Sequence, residues 1–497
     1  MNPALLLIGI SFLAALALGI RARRGHPMTL EQWSVGGRGF GTVFVFVLMA
    51  GEIYTTFTFL GGSGWAYGKG APAFYILCYG TLAYGMSYFL LPVIWRYANA
   101  HALVSQADFF VHKYESELLG VIVSLVSVAA MIPYLVLQLK GLGIIVSEAS
   151  AGAISAGQAV WAGSVVLVVY VVASGVRGSA WTAVLKDILI LAVALVLGIY
   201  LPAQLHGGYG AMFADINRVH PGFLTLPRTG MSPAWFISTV VLTTLGFYMW
   251  PHTFGSCYTA RNENVFRRNA VVMPLYQLVL LFVFFTGFAA LLEVPGLTGT
   301  SMDLSLLRVT RHAFGPWMLG VVGAAGLLTA LVPGSMLLMS ACTILSNNVY
   351  VKLVRREMPE AQITWLARAL VPVVALVSVL LTLRGGSTLV LLLLAAYNVV
   401  TQLFPALVLS LPNQPMATRA GAIAGILAGE ATVVALTLTG ATMGSLFPSW
   451  PAVITDLNVG IVAMAVNLVV LVAVSGLTGR RRHLPEGRTS EPNVRFS

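Results

Sequence analysis

The chain has 497 residues, of which 58% are hydrophobic and only 9% are charged. Together with a mean hydropathy of +0.86, this composition excludes an ordinary soluble domain and indicates an integral membrane protein. The formal net charge of +11 is spread over short loops, where membrane topology already explains it, so we expect no nucleic-acid partner.

Apolar runs recur along the chain, each long enough to cross roughly 30 Å of hydrocarbon, and they predict an all-α protein with about thirteen transmembrane helices. Cys78, Cys257 and Cys342 fall inside these runs without metal-ligand spacing, so neither a disulfide framework nor a zinc site is indicated. The predicted spans are 4–20, 41–66, 73–95, 117–147, 156–175, 179–202, 233–259, 270–292, 317–351, 364–383, 387–411, 420–440 and 453–477.

Basic residues follow the first predicted span directly, at Arg21, Arg23 and Arg24. If the N-terminus is outside, the inside loops collect roughly 19 Lys and Arg residues against 6 in the outside loops, which agrees with the positive-inside rule. We therefore predict an uncleaved first helix, an outside N-terminus and a cytoplasmic C-terminus. The tail at 479–497 is basic and polar, as is typical of a disordered segment.

Two predicted spans contain residues that interrupt a helix. The second span carries Ala50-Gly51-Glu52 and then Gly61-Gly62-Ser63-Gly64, and the seventh is interrupted by Gly246 and Pro251. Because five is an odd number of crossings, a second set of five helices enters with opposite polarity, which predicts two inverted repeats that each open with a broken helix. The predicted regions are an N-terminal helix and loop (1–40), a first repeat (41–203), an outer loop (204–232), a second repeat (233–412), two peripheral helices (413–478) and a tail (479–497).

Lys186 and Asp187 lie inside the sixth predicted span, where charged residues are rare. A charge near the bilayer centre costs roughly 2.5 to 3.5 kcal/mol on insertion scales, so its presence indicates a function. Neighbouring residues on a helix point about 100° apart, and we therefore expect no ion pair between these two side chains.

Several segments, taken in order, resemble the sodium:solute symporter family, a branch of the LeuT-type inverted-repeat fold. They are Trp33-Ser34-Val35-Gly36-Gly37-Arg38, the glycine-rich break that follows, Gly246 to His252 followed by Arg261, and Ser346-Asn347-Asn348-Val349-Tyr350. Two further segments are most similar to the bacterial monocarboxylate permeases of that family, namely Pro133 to Gly141 and Arg177 to Asp187.

The resemblance implies a secondary symporter in the bacterial inner membrane that takes up lactate, pyruvate, propionate or a similar small acid by alternating access. A sodium-coupled symporter of another small organic solute, or an uncoupled facilitator or channel, remains as an alternative. An enzyme is not expected, because the sequence has no His-Glu-x-x-His run and no Gly-x-Ser-x-Gly elbow. We expect no cofactor and no bound metal, and the sequence leaves the oligomeric state open.

Departures from the family pattern concern the coupling ion. Sodium-coupled members place hydroxyl groups where this chain has Val332 and Pro333, and some carry an acid where it has Ala183. Hard cations need several oxygen ligands, so these replacements favour H+ over Na+ as the coupling ion. By resemblance to a proton-coupled transporter of this broad fold, the Lys186 amine would stand where sodium binds. Glu52 and Asp187 are the further candidates for the coupling site.

Further polar residues in the predicted breaks and in the facing spans are candidates for the substrate pocket, although polar contacts between helices are the simpler interpretation for each alone. Ser335 and Ser340 are the remaining hydroxyl candidates for a sodium site, and the loop 293–316 is either a cover of the pocket or a solvated connector. The substrate-binding candidates are Tyr54, Thr55, Thr58, Trp65, Gln138, Tyr248, His252, Tyr397, Asn398 and Gln402.

Overall fold

The computed structural model describes residues 2–23, 29–355, 357–412 and 415–479. Within these ranges the regular secondary structure is helical throughout, and the β pairing is limited to one isolated bridge between Phe40 and Ala260. The predicted all-α class is therefore confirmed. Apart from Gly479, the predicted disordered tail lies outside the described residues.

Before residue 220, the described residues form nine helices, which include the longest one. Short 3-10 turns cover Gly36–Arg38 and Ala71–Phe74, and a wide π turn covers Phe57–Gly61. The helices are α1 (Pro3–Arg23), α2 (Leu30–Val35), α3 (Thr42–Gly51), α4 (Gly62–Lys69), α5 (Tyr75–Ala100), α6 (Gln106–Tyr114), α7 (Glu117–Ala149), α8 (Ala156–His206) and α9 (Tyr209–Val219).

The described part of the chain after residue 220 contains fourteen helices. Short 3-10 turns cover Phe247–Met249, Gly299–Leu304 and Thr401–Leu403, and a π turn covers Ile344–Tyr350. The helices are α10 (Pro233–Gly246), α11 (Pro251–Tyr258), α12 (Asn264–Gln277), α13 (Leu280–Glu293), α14 (Ser305–Ala313), α15 (Pro316–Thr343), α16 (Val351–Leu353), α17 (Glu360–Arg384), α18 (Leu389–Val400), α19 (Phe404–Ser410), α20 (Arg419–Thr439), α21 (Met443–Leu446), α22 (Ala452–Thr455) and α23 (Val459–Thr478).

Ten helices within the described ranges are long and apolar enough to cross a bilayer, or eleven if the bent pair α10 and α11 counts as one span. This number differs from the predicted thirteen at two places. The predicted spans 156–175 and 179–202 both lie in α8, which is counted as one helix although the non-helical backbone at Gly175 divides it into two. The predicted span 41–66 is divided between α3 and α4, and each piece is too short to cross alone.

The buried centre of the fold is α15. Its most apolar window is 94% buried inside the protein, whereas the corresponding windows of α20 and α23 are only 33% and 28% buried. The two long C-terminal helices, α20 and α23, pack against each other where Gly421 and Gly425 of α20 meet Leu471 of α23. Small residues allow such close approach of membrane helices.

The division of the chain into two inverted repeats stays a prediction.

A glycine divides α8 into its two predicted spans. Gly175 has φ 65° and ψ −173°, a backbone conformation that is essentially restricted to glycine. The same residue lies against Trp33, because a Cβ added there would be 3.1 Å from Trp33 Cδ1. The bend therefore depends on the absence of a side chain.

We expect Gly175→Ala to destabilise the protein by about 1–3 kcal/mol, because alanine is strained at this backbone conformation. The control is Gly157→Ala in the same helix, where an added Cβ meets only Leu383 Cδ2 at 3.4 Å and the backbone φ is ordinary. Thermal unfolding in detergent, followed by tryptophan fluorescence, measures the difference. Equal unfolding temperatures for the two variants would contradict this account of the bend.

Candidate functional site

The second span is interrupted at the predicted position. Helix α3 ends at Gly51, and regular helical hydrogen bonding resumes only from Phe57. The predicted candidates Thr55 and Thr58 satisfy part of the freed backbone themselves. Thr58 Oγ1 donates to the Ile53 carbonyl at 2.6 Å, and Thr55 Oγ1 accepts from the Phe57 amide at 3.1 Å. These two hydroxyls therefore stabilise the break from within.

The ammonium of Lys186 satisfies two more carbonyls of the same break. Its side chain is fully buried, and Nζ donates to the Gly51 carbonyl at 2.9 Å and to the Tyr54 carbonyl at 3.2 Å. Lys186 belongs to α8, which packs along α3, so the long side chain reaches the point where α3 ends. The sequence placed Lys186 in the membrane but could not place it at this break.

The expectation that Lys186 and Asp187 do not pair is wrong. Lys186 Nζ lies 2.9 Å from Asp187 Oδ1, and both side chains are buried. The helical angle between adjacent residues separates their Cβ atoms, but the four methylene groups of lysine let the ammonium fold back towards the carboxylate. The ammonium thus has three oxygen partners, one of them charged.

Ala183, one helical turn before Lys186 on α8, packs against apolar residues of two other helices. Val332 of α15, Ala183 of α8 and Val47 of α3 form one small buried cluster. The residues that replace oxygen ligands of sodium-coupled relatives, Val332 and Ala183, are therefore in one place, and the cluster contributes no side-chain oxygen. Pro333 is buried beside them in α15.

The remaining sodium-site candidates lie in different surroundings. Ser335 Oγ donates to the Val332 carbonyl at 2.6 Å and lies 2.8 Å from Ser179 Oγ of α8, so it joins two helices close to the apolar cluster. Ser340 is partly exposed and lines a small cavity with Ser34 and Gln106. The structure therefore does not bring Ser335 and Ser340 into one cavity.

Glu52 connects the first break to the second. Its side chain is 6% exposed, and Oε1 accepts from Ser256 Oγ of α11 at 2.7 Å. Its backbone carbonyl accepts from the Tyr134 hydroxyl of α7 at 3.3 Å. Among the described residues no ion pair joins Glu52 to Lys186. The two ionisable groups therefore contact the same break through different partners.

The second break lies between α10 and α11, which are bent by 51°. His252 at the start of α11 is buried, and its ring centroid is 5.7 Å from that of Tyr134. Tyr397 of α18 lies 5.3 Å from Trp250, which in turn is 5.0 Å from Tyr134. A wall of aromatic rings thus lines the region between the breaks.

Sequence reasoning missed two members of this aromatic wall. Trp250 directly precedes Pro251 of the break, and Tyr134 lies one helical turn before the candidate Gln138 on α7. Tyr134 could have been found by following the face that Gln138 shares with its neighbours at four-residue spacing. A third ring, Tyr79 of α5, lies 5.8 Å from Tyr397 and extends the wall.

The buried polar atoms in this region that have no hydrogen-bond partner among the described residues include Gln138 Nε2, His252 Nδ1 and Glu52 Oε2. Buried polar atoms in native proteins are usually paired, so each is available to a polar ligand. Gln138 is held in place by its other atom, since Oε1 accepts from Thr56 Oγ1 at 2.8 Å. The region can therefore bind a small molecule with both polar and apolar parts.

Other candidates lie at the edge of this region or outside it. Tyr54 is buried and donates to the Tyr276 carbonyl at 2.8 Å, and Tyr248 is buried against Phe247. Trp65 stacks on Trp235 and lines a separate cavity of about 510 Å³.

Gln402 and Asn398 contact the last helix instead. Gln402 Nε2 donates to the Gly460 carbonyl of α23 at 3.2 Å, and its own backbone carbonyl accepts from Asn467 Nδ2 at 2.7 Å. Asn398 also lies beside Gly460, because a Cβ added there would be 2.4 Å from Asn398 Oδ1. Gln402 thus joins α23 by hydrogen bonds, and Asn398 packs against the same helix.

The sequence profile of the sodium:solute symporter family matches residues 33–429. An uncharacterized symporter of Bacillus subtilis, YhjB, is 61% identical over 482 residues, which cover 97% of this chain and 98% of that protein. A monocarboxylate transport permease protein of Rhizobium johnstonii is 27% identical over 364 residues, covering 70% and 71% of the two chains.

The fold is also similar to that of a Na+-coupled sialic acid symporter in a substrate-bound outward-open state. The TM-score is 0.76 at 16% sequence identity, and the alignment covers 96% of this chain and 98% of that one. The fold and the sequence profile, which spans most of the chain, agree with each other. The chain is a multi-pass membrane transporter that belongs to the sodium:solute symporter family.

Proposed function

We propose that the protein is a proton-coupled symporter that takes up a small monocarboxylate, such as lactate, pyruvate or propionate, by alternating access. The observation that carries the proposal is the ammonium of Lys186, which donates to the Gly51 and Tyr54 carbonyls at the break of the second span. A positive charge carried by a titratable side chain thus lies where unwound carbonyls of this kind of fold bind a cation.

The surroundings of Lys186 favour an ammonium over a sodium ion. An ammonium has three N–H donors, and Lys186 has three oxygen neighbours in Gly51, Tyr54 and Asp187. A sodium ion would need further oxygen ligands, but the neighbouring cluster of Val332, Ala183 and Val47 is apolar. Loss of the proton to water would remove the charge that pairs with Asp187 and weaken the contact between α8 and the break. The charge state of one amine would thereby control whether two helices stay together.

The region between the breaks suits a short carboxylic acid. Gln138 Nε2 is a donor for a carboxylate oxygen, and His252 Nδ1 is available to a carboxylate or a hydroxyl group. The rings of Tyr134, Trp250 and Tyr397 pack against one another and would offer an apolar surface to a short chain. The similarity to a monocarboxylate transport permease supports the same substrate class. Transport of a monovalent anion with one proton would be electroneutral.

Replacing the amine tests the coupling. A gradient of one pH unit, worth about 1.4 kcal/mol, supports accumulation of a proton-coupled substrate by about tenfold. In proteoliposomes with labelled lactate or pyruvate outside, we expect Lys186→Gln to reduce this accumulation to equilibration while exchange of bound substrate continues. The control is Lys352→Gln, since Lys352 lies near the membrane surface and pairs with Glu117. Proton-driven accumulation by Lys186→Gln would contradict the proposal.

The same vesicles separate the alternatives. Uptake that requires a sodium gradient and is indifferent to pH would transfer the coupling role to sodium. Flux that never exceeds equilibration under any gradient, in the unaltered protein, would favour a facilitator or channel. Both outcomes are measured as uptake of the same labelled acids.

Sodium binding should appear when side-chain oxygen ligands are introduced at positions 183 and 332 and the amine at position 186 is removed. We expect the triple variant Ala183→Asp, Val332→Ser, Lys186→Ala to be stabilised by Na+ and not by K+, by about 2.7 kcal/mol at a sodium concentration 100 times the dissociation constant. The unaltered protein is expected to show no difference between the two salts. Thermal unfolding in detergent measures both, and a sodium-specific shift in the unaltered protein would contradict the assignment of Lys186.

A further inference from the structure

A second ionisable group lies in the connection between α13 and α15. The segment Gly299–Ala313, which we call the lid, comprises the 3-10 turn Gly299–Leu304 and helix α14. It packs on α4, the helix that follows the first break. Ser305 Oγ of the lid is 3.2 Å from Ser63 Oγ, and a Cβ added to Gly64 would be only 2.8 Å from the Met302 carbonyl. The middle of the predicted loop 293–316, residues 302–310, is therefore mostly buried and not a solvated connector.

Asp303 attaches the lid to α18. The side chain is completely buried, and Oδ2 accepts from the backbone amide of Leu389 at 3.0 Å. The second oxygen, Oδ1, has no hydrogen-bond partner among the described residues. A buried carboxylate ion with one backbone hydrogen bond is poorly compensated, whereas a neutral carboxylic acid in the same place costs much less. The packing of the lid therefore favours the protonated form.

Burial raises the pKa of Asp303 to about 6, and the Leu389 amide and the charge of Lys140 only partly oppose this shift. An aspartate exposed to water has a pKa of about 3.9, as expected when the lid is lifted. The closed lid thus binds a proton more tightly than an open one.

Of the charged groups on the elements around the 3-10 turn, Lys140 of α7 influences Asp303 most directly. Its ammonium donates to the Ser387 carbonyl, just before α18, and no salt bridge joins it to Asp303 among the described residues. The π turn Phe57–Gly61 has no titratable residue, and α18 has only Tyr397. The other charged groups are exposed or paired elsewhere: Lys69 of α4 is exposed, Arg308 and Arg311 of α14 pair with Glu148, and His312 of α14 pairs with Glu293.

We propose that Asp303 is a proton-binding site of the lid, whose carboxylate takes up one proton from water when the lid closes over α4 and returns it when the lid opens. The direction of the pH effect follows from linkage. Protonation favours the state with the higher proton affinity, which is the closed lid, so a lower pH favours closure. Closure is favoured below pH 6 and weakened as the pH rises through 6. This site is separate from Lys186 and does not depend on its role.

The test uses a cysteine beneath the lid as a reporter. Ser63 is fully buried there, so the thiol of Ser63→Cys reacts with a maleimide only when the lid opens. The background has Cys78, Cys257 and Cys342 replaced by alanine. Labelling rates of purified protein in nanodiscs are normalised to those of Asn217→Cys, an exposed position on α9, to remove the pH dependence of the thiol itself.

We expect the normalised rate to rise by about tenfold between pH 5 and pH 7.5, as linkage predicts for the difference in proton affinity between the open and closed lid. Asp303→Asn keeps an oxygen acceptor for the Leu389 amide but cannot ionise, so labelling should be slow at every pH. Lys140→Gln removes a charge that favours the carboxylate and should move the midpoint of the pH dependence upwards.

A flat rate in the reporter protein, or an unchanged pH dependence in Asp303→Asn, would overturn the proposal. If Asp303→Asn does not fold, the midpoint in Lys140→Gln decides, and no shift there counts against it. Lys186→Gln in the reporter background is expected to keep the pH dependence of labelling. Because labelling needs no substrate, failure of this inference and failure of the proposed coupling are distinguished.

Discussion

The structure depends on one requirement: carbonyl groups released inside a membrane by a broken helix must find partners. Water and lipid do not supply them in the hydrocarbon region, so another part of the protein or a bound cation must do so. Here the ammonium of Lys186 occupies that position, with Gly51 and Tyr54 as acceptors and Asp187 as counter-ion.

The same break also connects to the rest of the transport pathway. Glu52 directly follows α3 and accepts a hydrogen bond from Ser256 of α11, so the first broken span is attached to the second. Tyr134 of α7 contacts the Glu52 carbonyl and the aromatic wall at once. A change in the position of α3 therefore has a direct route to both α11 and the wall.

The sequence predicted the features that depend on composition and on local chemistry. Helix-breaking residues located the break after Gly51, and the cost of an intramembrane charge identified Lys186. Features that depend on side-chain length and on packing between distant segments could not be predicted. The pairing of Lys186 with Asp187 required knowing how the lysine folds back, and the contact of Gln402 with α23 required knowing which helix is its neighbour. Trp250 was overlooked because an aromatic residue beside a break has no signature of its own.

Under both proposals, the arrangement described here is the one in which Lys186 and Asp303 carry protons, but the two protons have different consequences. Lys186 lies between helices of the buried core, so its proton can be taken up on one side of the membrane and released on the other. Asp303 belongs to a lid on one face and exchanges its proton only with that face. Its proton therefore contributes to closure without adding to the transported charge. The coupling ratio would be set by Lys186, while the pH at which the lid closes would be set by Asp303 and its neighbour Lys140.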